Sequence, residues 1–309
     1  MRVTLRQLQL FQAIAQTGSA TAAGQHAALS QSAVSAALAD LEDALNVTLF
    51  DRAGKRLALN HNGRALLPLA RAMLRGAQEI EQIFQSGQSA PVHLRLAASN
   101  TIGNYVLPPL LATFQQQWPR ARIDLRIANT RDVVALAGSL EVDLGLIEGP
   151  CRDAELATLP WIEDEMVIVA APSHPLLSTP RGQRLGVKQL RQAHWLLREH
   201  GSGTREAVEQ ILMPHLQRLA QTSTLGSSEA IKNAVAAGMG LSCISLFAVR
   251  DLLAAAQLVQ APTTLPRLVR RFSLVHRSGI LSGPLRAFAL HCGIAAQALP
   301  KPARQPLAP

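Results

Sequence analysis

Two short segments carry side chains suited to holding a small anion. The first is Ala98-Ser99-Asn100-Thr101-Ile102-Gly103, two hydroxyls and an amide where an alternating apolar run passes into a helical one. The second is Glu199-His200-Gly201-Ser202-Gly203-Thr204-Arg205, a glycine-rich loop that opens a helix. Free backbone N–H groups and the helix dipole favour negative charge at such places. Ser99, Thr101, Ser202 and Thr204 can donate to an oxyanion, and Arg205 adds charge if it points inward. N-caps and turn glycines with no ligand would use the same residue types, so either segment alone leaves both readings open. Asn129-Thr130 and Glu148-Gly149, at two further strand ends, would form a rim. Glu148 suits a ligand hydroxyl or amine better than a bare anion.

A different chemistry is suggested by Ala20–Leu41, ATAAGQHAALSQSAVSAALADL. Two helical patterns flank the turn Ala28-Leu29-Ser30, with Ser19 and Ser30 placed to cap them. Val34, Leu38 and Leu41 share one face of the second helix, leaving Gln31, Ser32 and Ser35 elsewhere. Small polar residues at an exposed helix start can reach base edges in a DNA major groove. A plain α-hairpin with serine caps fits this stretch equally well, and its surroundings decide. Before it, Thr4 and Gln7 form a capping box, and Leu5, Leu8, Phe11 and Ile14 give an apolar stripe. After it, Val47, Leu49, Leu57 and Leu59 alternate as short strands around Asp51–Arg56, a β-wing carrying Arg52, Lys55 and Arg56. Basic residues on a wing neutralise phosphates.

Asn60 is placed to cap a long helix in which Leu66, Ala70, Met73, Ala77, Ile80 and Phe84 recur as a heptad seam. Such a seam predicts pairing with a second copy, and dimers match two-fold DNA sites. The breaker-rich stretch Gln85–Pro91 marks a domain boundary. Beyond it, strands at Val92–Leu96, Ile123–Ile127 and Leu144–Ile147 alternate with helices at Thr101–Gln117 and from Thr130, which is read as the cap, to Leu140. The pattern restarts at Met166–Ala170, with strands at Trp195–Leu197, Thr222–Leu225 and Leu241–Ile244 and helices at Val187–Gln192, from Thr204 and at Glu229–Ala237. A strand Phe272–His276 and a helix Pro284–Cys292, capped by Ser282, close the fold. Alternation of this kind predicts a parallel sheet covered on both faces, in two α/β halves with a cleft between them. The tail Leu299–Pro309, with four prolines, is expected to be disordered.

Composition bounds the reading. The 309 residues are 48% apolar and carry a net charge of +9. That charge is uneven: residues 1–91 hold eight basic and six acidic residues, 92–266 fifteen of each, and 267–309 seven basic and none acidic. A DNA-binding unit at residues 1–64 must therefore use placed charges rather than a large basic field. Arg267, Arg270, Arg271 and Arg277 read as a solvated face. Cys151, Cys243 and Cys292 are odd in number and widely spaced, as in a reducing compartment. No secretory segment or membrane-length apolar run occurs, so a cytoplasmic location and no membrane partner are expected. No GxSxG, HExxH, Walker A loop or Cys/His metal cluster is present, and His93, His174, His194 and His276 are dispersed. The chain is expected not to be an enzyme and to hold no cofactor or metal.

The blocks LRQLQLFQAIAQTGSATAAGQHAALSQSAVSAALADLEDALNVTLFDR and NGRALLPLA resemble the LysR-type transcriptional regulators, and the likeness runs from about Leu5 to Cys292. Ser32 stands where that family usually has proline, and Asn60 where it often has threonine. The resemblance implies a winged helix-turn-helix at 1–60 and a linker dimerisation helix at 61–88. It also implies an effector-binding domain at 91–298 similar to periplasmic binding proteins. Its subdomains would be 91–162 with 267–298, and 163–266. It implies a homodimer or homotetramer, a dimer of dimers on a pseudo-palindromic promoter site, acting with RNA polymerase as a transcription activator under a small co-inducer. DNA contact would fall on Gln31, Ser32, Ser35 and Arg52, with Lys55 and Arg56 behind them. Effector contact would fall on Ser99, Asn100, Thr101, Asn129, Thr130, Glu148, Gly149, Gly201, Ser202, Gly203, Thr204 and Arg205. TIGNYVLPPLL, VDLGLIEG and GSGTREAVEQ resemble the subgroup governing carbon fixation and sulfur assimilation. That implies a sulfur oxyanion first and a phosphorylated metabolite second as co-inducer. A small-molecule-binding protein with no regulatory role shares the cleft but leaves residues 1–64 without a purpose.

Overall fold

Local signals place the first helices. The computed structural model describes residues 2–53, 56–85, 92–178, 183–277, 281 and 283–299. Helix α1 (Leu5–Thr17) starts at the Thr4/Gln7 capping box and ends at Gly18 in the left-handed region. Helix α2 (Ala20–Ala27) is capped by Ser19, and α3 (Gln31–Leu45) by Ser30. Between them Ala28 adopts φ 54°. Gly24 is required here, because a Cβ on it would lie 2.7 Å from the Leu29 carbonyl oxygen. Leu10, Ile14, Ala23 and Val34 bury together, which fixes α3 against the first two helices.

The hairpin pairs β1 (Phe50–Ala53) with β2 (Arg56–Leu59), Phe50 opposite Leu59. It starts later than the alternation suggested. Asn46 ends α3 in the left-handed region, Val47 is exposed, and Leu49 plugs the core before the strand begins. Gly54 and Lys55 lie outside the described residues, as does the Arg52 side chain. Asn60 accepts from the Gly63 N–H at the start of α4 (His61–Gln85). The expected seam divides. Leu66 and Ala70 pack inward with Leu74 against Leu8 and Phe11, while Leu69, Met73 and Ile80 remain 47%, 45% and 60% exposed. The Phe84 side chain lies outside the described residues. Chain contacts divide at residue 91 into two units, one of residues 1–91 and one of 92–309. The expected linker at 86–91 is not among the described residues.

The second unit has two lobes, each containing a β-α-β-α-β run. In lobe I, β3 (His93–Ser99) leads through a π-helical turn (Ile102–Val106) into α5 (Leu107–Gln117). Then follow β4 (Arg122–Ala128), α6 (Thr130–Gly138), β5 (Leu144–Glu148) and β6 (Leu156–Ala170). In lobe II, α7 (Val187–Gln192) and β7 (His194–Arg198) precede α8 (Gly203–Ala207). A second π-helical turn (Val208–Leu212) joins α8 to α9 (Met213–Leu216). Next come β8 (Gln221–Leu225), α10 (Ser228–Ala236), β9 (Ser242–Ser245), α11 (Leu246–Ala254) and β10 (Val259–Gln260). The chain returns through β11 (Leu268–Arg277) and α12 (Gly283–His291). Both π turns sit just before proline. Pro108 and Pro214 have no N–H for an i→i−4 bond, and the helix widens so that Leu107 bonds Ile102 and Met213 bonds Val208.

The sheet is mixed, not wholly parallel. Strands β3, β4 and β5 run parallel, as do β7 and β8. The order β10-β6-β11-β5-β3-β4 places β6 and β11 side by side and antiparallel. One strand carries the chain out of lobe I and the other brings it back, so they must oppose. Sequence reading began β6 at Met166 and β11 at Phe272, and so missed the halves that cross between lobes. Helix α11 was also missed. Leu299, assigned to the tail, is buried in the lobe I core with Phe288 and Ile294, whereas residues 300–309 and Ser282 lie outside the described residues.

Candidate functional site

At the exposed start of α3, Gln31 and Ser32 face solvent and Ser35 is half-buried. The Gln31 amide donates to the Ser35 hydroxyl at 2.8 Å, and the Ser30 and Ser32 hydroxyls meet at 2.9 Å. These four side chains form a polar patch with no apolar duty, since Val34 and Leu41 do the packing. Arg56 is exposed on the hairpin.

In the second unit, the C-terminal ends of β3 and β5 converge on the start of α8. Glu148 lies fully buried where they meet. Its carboxylate accepts from the Thr101 N–H at 2.9 Å, the Thr204 hydroxyl at 2.6 Å and the Arg270 guanidinium at 2.6 Å. Arg270 also donates to Asp164 at 2.7 Å, and the Ser245 hydroxyl donates to the same carboxylate at 2.7 Å. Burial opposes ionisation of Glu148, but Arg270 and the Thr204 and Thr101 donors outweigh it and hold the pKa at about 2. Burial also raises Asp164 above its ordinary value, and Arg270 does not fully offset that. Arg270 stays charged because its two carboxylates outweigh its own burial.

Next to this closed cluster are hydroxyls left open. Ser99 and Thr130 are buried, and their hydroxyl oxygens have no partner among the described residues. Ser99 lies close enough to Glu148 to favour its charged form, but it closes no hydrogen bond to it. Ser202 is 3% exposed, and its side chain makes no hydrogen bond among the described residues. Gly203 brings α8 onto this spot, since a Cβ there would lie 2.5 Å from the Thr130 hydroxyl oxygen. The Arg131 N–H donates to the Gly201 carbonyl at 3.1 Å, joining the starts of α6 and α8 across the lobes. A buried hydroxyl without a partner costs about 1–3 kcal/mol, so Ser99 and Thr130 together mark a place where a ligand's polar atoms would be stabilised.

Of the residues expected here, Ser99, Thr101, Thr130, Glu148, Ser202, Gly203 and Thr204 gather. Others have separate tasks. Asn100 donates to the Ala128 carbonyl, and Asn129, not Thr130, caps α6. Arg205 turns away to pair with Glu209 at 2.6 Å. Gly149 and Gly201 supply left-handed turns at φ 92°. Arg270, read as part of a solvated face, is buried; Arg267 and Arg277 fit that reading better, pairing with Glu165 and Glu155. Sequence reasoning also missed Asp164 and Ser245. A further inter-lobe link was missed as well: Lys232 of α10 donates to the Tyr105 hydroxyl of the π turn at 3.2 Å and lies 4.8 Å from that ring's centre. No cluster of three or more metal-ligating side chains occurs among the described residues, and no described helix is long and apolar enough to cross a membrane.

A winged helix-turn-helix joined to a two-lobed ligand-binding unit defines a ligand-responsive transcriptional regulator, and the chain belongs to the LysR family of these. Residues 5–64 match the bacterial regulatory helix-turn-helix protein of the lysR family, and residues 87–295 the LysR substrate binding domain. It is 46% identical over 293 residues to the uncharacterized HTH-type transcriptional regulator YeiE of Escherichia coli strain K12, covering 94% of this chain and 98% of that protein. It is 33% identical over 296 residues to the RuBisCO operon transcriptional regulator of Allochromatium vinosum, covering 94% and 96%. Among solved structures, the fold matches a full-length OxyR variant from Pseudomonas aeruginosa with a TM-score of 0.71, 24% identity and coverage of 99% and 100%. The CcmR regulatory domain of Synechocystis, in complex with 2-PG, matches with a TM-score of 0.59 and 29% identity over 65% of this chain and 95% of that one. The family is regulatory, not enzymatic.

Proposed function

We propose that this regulator reads a pseudo-palindromic promoter site as a dimer of dimers and is switched by a small anionic co-inducer. The start of α3 enters the major groove, with Gln31, Ser32 and Ser35 at the bases. Arg52, Lys55 and Arg56 of the wing lie on phosphate. The exposed face Leu69, Met73 and Ile80 of the 61–88 linker helix pairs two chains, and the 91–298 domain binds the co-inducer. The protein works in the cytoplasm, with RNA polymerase as its partner in activation.

The observation that carries the ligand half is the set of buried hydroxyls of Ser99 and Thr130 with no partner, next to a Glu148 whose own bonds are complete. A sulfur oxyanion ranks first and a phosphorylated metabolite second. The 2-PG bound to the CcmR domain supports the second. Glu148 restricts the choice, because a ligand oxygen placed against its carboxylate must carry a proton. The test is calorimetric titration of the full-length protein with sulfite, sulfate, phosphate and 2-phosphoglycolate. One of them is expected to bind saturably in the wild type and to lose at least tenfold in affinity in Thr130→Val, about 1.4 kcal/mol. Binding that is unchanged in Thr130→Val and Ser99→Ala would place the ligand elsewhere.

A further inference from the structure

A cavity of about 310 Å³ opens beside the crossover strands, and its lining includes neither Ser99, Thr101 nor Thr130. It shares Gly149, Gly203 and the edge of Arg270 with the surroundings of Glu148, but its remaining walls are ones the Glu148 cluster does not use. Along α8 and its π turn, Thr204 faces Glu148, whereas Ala207, Gln210 and Ile211 line this cavity. Along β11, adjacent residues project to opposite faces. Arg270 borders the cavity but turns its guanidinium into the Glu148 cluster. Arg271 and Ser273 also line the cavity, where the β11–β6 register shifts between them.

The polar groups here include an open cation and an open hydroxyl. The Arg271 guanidinium is exposed and makes no hydrogen bond or ion pair among the described residues; Glu163, opposite it on β6, lies 3.6 Å from Arg267 instead. Ser273 is 7% exposed, and its hydroxyl has no partner among the described residues. Glu206 is already held by Arg152 at 2.8 Å and by the Gln210 amide at 2.9 Å. The remaining wall is apolar, from Pro150, Ala207, Ile211 and Val269. One open cation and one hydroxyl donor over an apolar wall match a single carboxylate on a short aliphatic body. Glu206 disfavours a second negative charge. The volume suits a small molecule rather than a nucleotide or sugar phosphate.

From this we infer that the cavity is a second ligand site, separate from the co-inducer site, for a small aliphatic monocarboxylate. The test uses the full-length protein, with isovalerate as the probe, and isoamyl alcohol and sodium chloride of equal ionic strength as controls. Thermal unfolding is followed up to about 50 mM ligand, where mass action on the folded state raises Tm in a saturable way. Isovalerate alone is expected to raise Tm, with the rise lost in Arg271→Gln, an exposed substitution that leaves the core intact, and kept in Thr130→Val. No rise in the wild type, an equal rise with the alcohol or the salt, or a rise that survives Arg271→Gln would overturn the site. Loss in Thr130→Val with retention in Arg271→Gln would return the carboxylate to the co-inducer site and equally refute a second one.

Discussion

Arg270→Met tests the central electrostatic claim most directly. Methionine keeps much of the apolar stem but leaves Glu148 and Asp164, bonded at 2.6 and 2.7 Å in the native protein, without their shared cation. Removing one partner of a buried pair costs about 3–5 kcal/mol, because the remaining charge has neither water nor a countercharge. The pH dependence then follows from the direction of each shift. In the native protein Glu148 falls from an ordinary 4.5 to about 2, so its contribution is complete above 4.5 and lost only as pH drops toward 2. In the variant, burial acts on both carboxylates with no cation to offset it. Their folded pKa values then lie above the unfolded ones, and stability returns as pH falls. Each proton taken up recovers about 1.4 kcal/mol per pH unit.

The gap between native protein and variant should thus be about 3–5 kcal/mol near pH 7 and shrink by about 1–2 kcal/mol near pH 5. Urea unfolding followed by tryptophan fluorescence measures it cleanly, because Trp118, Trp161 and Trp195 all lie in the second unit. Arg270→Lys, which keeps the charge but loses the two-pronged geometry, should fall between the two. A loss below about 1 kcal/mol near pH 7, or a gap that widens on acidification, would refute the assignment of Arg270 as the buried countercharge.

Further outcomes are expected elsewhere in the chain. Ser35→Ala and Arg52→Ala should each weaken promoter binding by about 1–3 kcal/mol in a gel-shift titration while the circular dichroism spectrum stays unchanged. Arg52→Ala should lessen the salt dependence, and unchanged affinity in both would remove this contact assignment. Met73→Glu places a charge on the exposed face of α4 and should halve the mass seen by light scattering; an unaltered mass would move the dimer contact off this helix. Lys232→Met leaves Tyr105 without its partner, and should shift co-inducer affinity measurably without touching the ligand; an unchanged titration would make the Tyr105 link purely structural.

What was legible in the sequence was local. Thr4, Ser19, Ser30 and Asn60 cap their helices because a hydroxyl or amide one turn from free N–H groups needs no distant partner. The apolar period of β3 and β5 was equally plain, and with it the placement of Ser99 and Glu148 at strand ends. The mixed sheet was not, since whether neighbours run parallel depends on which strands cross between lobes. Arg270 was missed for a related reason. Once β11 is known to begin at Leu268, the parity of Leu268, Phe272 and Leu274 places Arg270 on a buried face. Reading the strand from Phe272 left the arginine in a loop. The seam of α4 misled because Leu66 and Ala70 have an internal partner in α1, which heptad spacing alone cannot distinguish from a second copy.

The placement of the charge cluster bears on how a ligand could act at a distance. Glu148 ends a lobe I strand, Thr204 begins a lobe II helix, and Asp164 and Arg270 lie on the two strands that run between the lobes. A ligand can shift a conformational equilibrium only by as much as it binds one state better than the other. A ligand held by Ser99 and Thr130 alone would sit mostly on lobe I and have little power to tell lobe positions apart. One that also takes a bond from Ser202 or competes for the Thr204 hydroxyl joins the lobes and gains that power. Thr204→Val therefore separates binding from switching. It removes the lobe II donor from Glu148 but leaves Ser99 and Thr130 in place. Co-inducer affinity should fall severalfold, and the change in promoter affinity on adding saturating co-inducer should fall further, toward none. A variant that binds more weakly yet, at saturation, switches the promoter complex as fully as the native protein would show that the lobes are coupled through other atoms.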